Sequence, residues 1–103
     1  MKTKWYSEAQ VNLDLTEDYI FDNFGPDSLV DFVDKVDQSV ATILHYPSSG
    51  HVEPLLADRA LTYRSMVVDK LSKIVYRVDD DTIHVVDFWD CRREPQVLAD
   101  EVK

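Results

Sequence analysis

Leu71-Ser72-Lys73-Ile74-Val75-Tyr76-Arg77-Val78-Asp79-Asp80-Asp81-Thr82-Ile83-His84-Val85-Val86-Asp87-Phe88-Trp89 is the stretch that decides the fold. Ile74, Tyr76 and Val78 alternate with Lys73, Val75 and Arg77, and Ile83 and Val85 alternate with His84 and Val86. A period of two sends successive side chains to opposite faces of a strand. The aspartate run between the two halves leaves room only for a reversal, so residues 71–78 and 82–89 read as a hairpin. Asp69-Lys70 reverses the chain once more, behind another β-rich run at 61–68. Three strands joined by two tight turns make an antiparallel meander.

Upstream the period changes to that of a helix. Ala9, Leu13, Ile20 and Phe24 predict a helix from Ser7 to about Asn23, opened by Ser7-Glu8-Ala9-Gln10 as an S-x-x-Q capping box. Gly25 suits the position after a helix end, and Pro26 cannot continue a helix interior. A second helix, capped by Asp27 or Ser28, carries Leu29, Phe32, Val33, Val36, Val40, Ile43 and Leu44 as one apolar stripe. The short connection between the helices implies an antiparallel hairpin. Residues 2–6, KTKWY, read as a brief edge strand, and Tyr46-Pro47-Ser48-Ser49-Gly50 opens a loop to about Arg59. Residues 95–102 read as one or two helical turns with Pro95 first. The order β-α-α-β-β-β with a short C-terminal helix gives an α+β two-layer sandwich. The helical hairpin packs on an antiparallel β-sheet in a single domain, 1–103.

Charge narrows the function classes. The chain carries 20 acids against 11 Lys and Arg, net −9, so direct binding of duplex DNA by the protein alone is not expected. The excess is uneven. Residues 1–58 hold three lysines against 11 acids, whereas residues 59–103 hold eight bases against nine. No apolar run is long enough to span a membrane, and the start of the chain has no secretory pattern, so a cytoplasmic protein is expected. The single Cys91 rules out an internal disulfide or a thiolate metal cluster.

No motif assembles obvious catalytic chemistry. His45 closes a helix, where a cation suits the dipole. His51 sits in a loop, and His84 lies between apolar neighbours on a strand. No spacing joins the three into a zinc site or a triad. Asp79-Asp80-Asp81 lacks the glycine and bidentate Glu of a calcium loop and reads as a solvated turn, so neither metal nor cofactor is expected. Arg92 and Arg93 beside Cys91 would favour its thiolate, but no second cysteine or histidine lies nearby in sequence. Arg64, Lys73, Arg77, Arg92 and Arg93 fall in or just after the strands. Gathered on one face they could bind phosphate or stabilise developing charge; otherwise they pair with neighbouring acids.

Several words in their order resemble the RelE/ParE superfamily of bacterial toxins from type II toxin–antitoxin (plasmid stabilisation) systems. They are Trp5-Tyr6-Ser7-Glu8-Ala9, the tract 15–24 ending DYIFDNF, residues 32–44, and Tyr46-Pro47-Ser48-Ser49-Gly50. Tyr63-Arg64, the KIVYRV strand, Asp81-Thr82-Ile83-His84-Val85-Val86 and Arg92-Arg93-Glu94-Pro95 follow. The resemblance covers about residues 4–98. It implies a growth-inhibiting toxin neutralised by a cognate antitoxin whose disordered tail folds onto it, with homodimer formation left open.

The ribonuclease branch of that superfamily cuts mRNA on the ribosome with sheet cations and a tyrosine near the C-terminus. Arg64, Lys73 and Arg92 match three of its basic positions and would be the catalytic residues under that alternative. Another lysine position falls on Met66 and the tyrosine position on Leu98, and leucine offers neither a donor nor a π-face. These departures, with the R-R-x-P ending, favour the ParE branch, which poisons DNA gyrase by binding. Arg64, Arg77, Arg92 and Arg93 are then the expected antitoxin- or target-binding residues. A third alternative is a non-toxic member acting only as a protein-binding module.

Overall fold

The computed structural model describes residues 1–90 and 100–102. Expectations for Cys91, Arg92, Arg93 and Leu98, and for the start of a tail helix at Pro95, lie outside them. Five strands and two helices form in the order β1 (Lys2–Trp5), α1 (Ser7–Phe24), α2 (Pro26–His45), β2 (His51–Val52), β3 (Arg64–Val67), β4 (Ser72–Asp79) and β5 (Thr82–Asp90). A 3-10 turn covers Pro54–Leu56, and Asp100 and Glu101 are helical. The strands lie in the order β1-β5-β4-β3-β2, giving the expected α+β architecture. Among the described residues no helix is long and apolar enough to cross a membrane.

The helical layer is built by the predicted stripes. Ala9 of α1 and Phe32, Val36 and Ile43 of α2 are buried against Ile74, Tyr76, Ile83, Val85 and Phe88 of the sheet. Phe32 meets Phe88 edge to face, with ring centroids 6.0 Å apart. Each fully buried Val, Ile or Phe among these contributes about 1.5–3 kcal/mol. The opposite face has a second, smaller core of Leu56, Tyr63, Val75, Val86, Trp89 and Val102. A bulge makes this double burial possible. Val75 faces Asp87 while Tyr76 faces Val85, so Val86 is an extra residue in β5. Val85 and Phe88 thereby join the helical side, and Val86 and Trp89 the other.

Several expectations need correction. Ser7 and Gln10 make no capping box: Tyr6 is the N-cap without a side-chain bond, and Gln10 Nε2 donates instead to Asp14 Oδ1 at 2.9 Å. α2 is capped by Gly25 rather than Asp27 or Ser28, because Pro26 already supplies the first helical residue. Gly25 has φ 88° and donates its N–H to the Phe21 carbonyl, so one residue ends α1 and begins α2. Phe24 is 65% exposed rather than packed. The sheet is mixed: β1 lies at the edge as expected, but parallel to β5, with Lys4 opposite His84. β2, inside the predicted loop, pairs with β3. β3 starts at Arg64, three residues later than the β-rich run suggests.

Candidate binding face

The register separates the predicted cations. Arg64 lies opposite Tyr76 and therefore faces the helical layer. Its guanidinium donates to the Gly50 carbonyl at 3.0 Å, in the loop after α2. Tyr76, fully buried, fixes that loop by donating its hydroxyl to the Pro47 carbonyl and accepting from Gly50 N–H, at 2.7 and 3.0 Å. Gly50 is required there, since a Cβ would meet Tyr76 Oη at 2.6 Å and the Ser65 carbonyl at 2.7 Å.

Lys73 and Arg77 project from the other face of β4. Lys73 Nζ lies 2.7 Å from Glu53 Oε2, and the Glu53 side chain is 1% exposed. Glu53 also accepts from Leu55 N–H and so caps the 3-10 turn. Lys73 is thus engaged by a buried carboxylate that carries the turn onto the sheet. Arg64, Lys73 and Arg77 do not converge on one point, and Arg92 and Arg93 lie outside the described residues. Met66, the proposed lysine position, packs against the helical core.

Arg77 belongs to a grouping that strand patterns alone do not reveal. His84 lies opposite Lys4 on β1 and opposite Arg77 on β4, so the three form one row across three strands. Arg77 Nη2 donates to the Tyr6 hydroxyl at 3.2 Å, and that hydroxyl lies 3.1 Å from His84 Nδ1. Lys4 Nζ sits 5.1 Å from the Tyr6 ring centroid. Burial, Arg77 and Lys4 hold His84 below the usual imidazole range, against an opposing pull from Asp79. The sequence carried a signal: in the extended stretch expected over residues 2–6, Lys4 and Tyr6 are two apart and share a face, although β1 itself ends at Trp5 and Tyr6 caps α1.

Beside this row lies a cleft of about 650 Å³, lined among others by Lys4, Tyr6, Tyr63, Arg77 and Glu8. Asp87 is fully buried, and its Oδ1 accepts from Asn12 Nδ2 and from Phe88 N–H, both at 2.8 Å. Asn12 Nδ2 also reaches Glu101 Oε2 at 3.4 Å. Burial and the adjacent Glu101 carboxyl push Asp87 up to about 7, outweighing the Asn12 and Phe88 hydrogen bonds.

The hairpin is electrostatically opposite. Partial burial together with Asp14, Asp18 and Asp37 raises Glu17 above its ordinary carboxylate value. A groove of about 430 Å³ is lined by Asp14, Glu17, Asp18, Phe21 and Leu29. Val11, Leu15, Phe21, Phe24 and Val30 expose at least half of their surface on the two helices, interleaved with those acids. Among the described residues no cluster of three or more His, Cys, Asp or Glu could hold a metal ion.

No family model matches the sequence, and no curated protein matches it. The fold has solved counterparts. A chain of the chromosomal ParDE TA system from P. aeruginosa superposes with a TM-score of 0.69. The alignment is 19% identical and covers 87% of this chain and 95% of that chain. The protein therefore shares the fold of a ParDE system chain over nearly that chain's full length.

Proposed function

We propose that the protein is the toxin of a type II toxin–antitoxin pair, neutralised by a cognate antitoxin and acting on a cellular target, DNA gyrase, by binding rather than by bond cleavage. The observation that carries this reading is the fold shared with a ParDE system chain across 95% of its length. The engagement of Lys73 by Glu53 and the turning of Arg64 to the helical side support a binder over a ribonuclease. The acidic hairpin, with its exposed apolar residues, suits an antitoxin segment that alternates Lys or Arg with apolar anchors.

Induced expression of the chain alone should arrest growth and produce DNA breaks, and co-expression with the antitoxin encoded beside it should restore growth. In-frame mRNA cuts without DNA breaks would refute the gyrase target, and unimpaired growth would refute toxicity. Antitoxin binding should weaken between low and physiological salt, because salt screens attraction to the exposed acids of the hairpin; salt-insensitive binding would remove the electrostatic part of the proposal.

A further inference from the structure

We propose that Asp87 and Glu101, bridged by the Asn12 amide, share a single proton that latches residues 100–102 onto the second core, so that rising pH loosens this end of the chain. The proposal goes beyond the toxin reading and does not depend on it. Asp87 is fully buried in β5, and both donors that reach it, Asn12 Nδ2 and Phe88 N–H, go to Oδ1. Its Oδ2 is buried and has no hydrogen-bond partner among the described residues. Asn12 Nδ2 is also 3.4 Å from Glu101 Oε2, so one amide stands between two acids. Two carboxylates held this close do not both ionise without a large cost. A proton on Oδ2 removes one of the charges and turns the unpartnered acceptor into a donor for the Glu101 carboxylate.

Three elements surround the pair. α1 presents Asn12, with Glu8 one turn before it. The C-terminal turn presents Glu101, next to Asp100. β4 places Val75 opposite Asp87, and its own cations are turned elsewhere: Lys73 to Glu53, and Arg77 to Tyr6 and Asp79. Burial and the Glu101 carboxyl together make Asp87 hold its proton up to about 7. The proton belongs to the pair rather than to either residue alone.

The latched segment is short. Val102 is buried in the second core with Tyr63, Val86 and Trp89, and Arg59 Nη1 donates to its carbonyl at 2.7 Å. Neither the apolar packing nor the arginine bond titrates between pH 4 and 8, whereas the carboxyl pair does. When the segment lifts, Asp87 meets water and returns toward its ordinary 3.8, so the lifted form gives up the proton first. Opening therefore gains about tenfold per pH unit from about 4 to 7. Above 7 the docked form ionises as well and the gain stops. Lifting uncovers Tyr63 and Val86, which line the same cleft as Glu101 and Val102.

The test uses the full chain carrying Cys91→Ser and Val102→Cys, so that the only thiol stands at a buried position. Its alkylation rate by N-ethylmaleimide, divided at each pH by that of a short peptide with the same C-terminal residues, gives the opening equilibrium. From pH 5 to 8 that equilibrium should rise about a hundredfold, and less than threefold once Asp87→Asn is added. Lys70→Gln, an exposed change on the turn before β4, should leave the rise as it was. At every pH, opening at residue 102 should exceed opening at the Tyr76 amide, read by hydrogen exchange, at least tenfold, which separates local release from unfolding. In the chain with its native residues, carboxyl-carbon NMR should place the Asp87 midpoint near 7, and at least one pH unit lower with Glu101→Gln. A pH-independent equilibrium, an equal rise with Asp87→Asn, equal opening at Tyr76, or an Asp87 midpoint unmoved by Glu101→Gln would each overturn the proposal.

Discussion

Replacing Lys73 by methionine should destabilise the protein by about 3 kcal/mol. Glu53 is 1% exposed, its Oε2 meets Lys73 Nζ at 2.7 Å, and its Oε1 accepts only a 3.3 Å bond from Leu55 N–H. Methionine fills the space of the lysine stem but leaves a buried carboxylate without its cation. Breaking a buried pair from one side costs about 3–5 kcal/mol, and the 16% exposure of Lys73 places the cost at the lower end. For a domain of this size each kcal/mol moves Tm by about 4–8 °C, so a fall of about 12–24 °C is expected by circular dichroism. The double variant Glu53→Gln, Lys73→Met should recover most of the loss, since a neutral amide no longer needs an ion partner. A single variant within about 1 kcal/mol of the parent, or a double variant no better than the single, would refute the reasoning. The result also bears on chemistry: activity lost with Lys73 would then follow from unfolding.

Other expectations follow from neighbouring groups. Asp87 titrates near 7 when folded and near 3.8 when unfolded, so its contribution to stability is complete below 3.8 and is lost as pH rises through 7. Asp87→Asn should flatten urea-derived stability between pH 4 and 7 and raise it by about 1–2 kcal/mol at pH 8; an unchanged slope would exclude Asp87 as its source. Gly50→Ala should cost about 1–3 kcal/mol by overpacking, because the Ser65 carbonyl at 2.7 Å is backbone and cannot give way cheaply; a neutral effect in urea titration would contradict this. Tyr76→Phe should cost about 1–3 kcal/mol by leaving the Pro47 carbonyl and Gly50 N–H without their buried partner, and should speed amide exchange at Gly50.

The helical stripes and the β3–β4–β5 meander were legible because each is a local pattern. Phe32, Val36 and Ile43 repeat at helical spacing, and Ile74 and Tyr76 alternate on one strand. Turn chemistry was legible too. Asp69 accepts from the Leu71 and Ser72 amides, and Asp80 takes a positive φ of 52° in the second turn. The parallel union of β1 with β5 was hidden, because nothing within Lys2–Trp5 encodes a partner about eighty residues away. The Val86 bulge was hidden for a related reason: apolar neighbours on both sides of β5 permit either register. Whether Arg64, Lys73 and Arg77 gather on one face or pair with acids depends on strand register, which no local pattern sets, and Glu53, which takes Lys73, sits in a segment with no period at all. Tyr6 was read only as part of a strand end, whereas its hydroxyl joins residues 71 and 78 positions away.

The parallel pairing of β1 with β5 has a consequence for synthesis. Residues 2–5 have no strand to join until residues 82–85 exist, so the sheet edge closes only after the intervening segment of about eighty residues has been made. Closing so long a loop costs about 2.5–3 kcal/mol more than closing a short turn, which makes this step late as well as remote. Ribosome-bound chains halted before residue 82 should therefore remain protease-sensitive near Lys4. The Lys4–His84–Arg77 row is divided between segments about eighty residues apart, so a chain halted before β5 cannot present it.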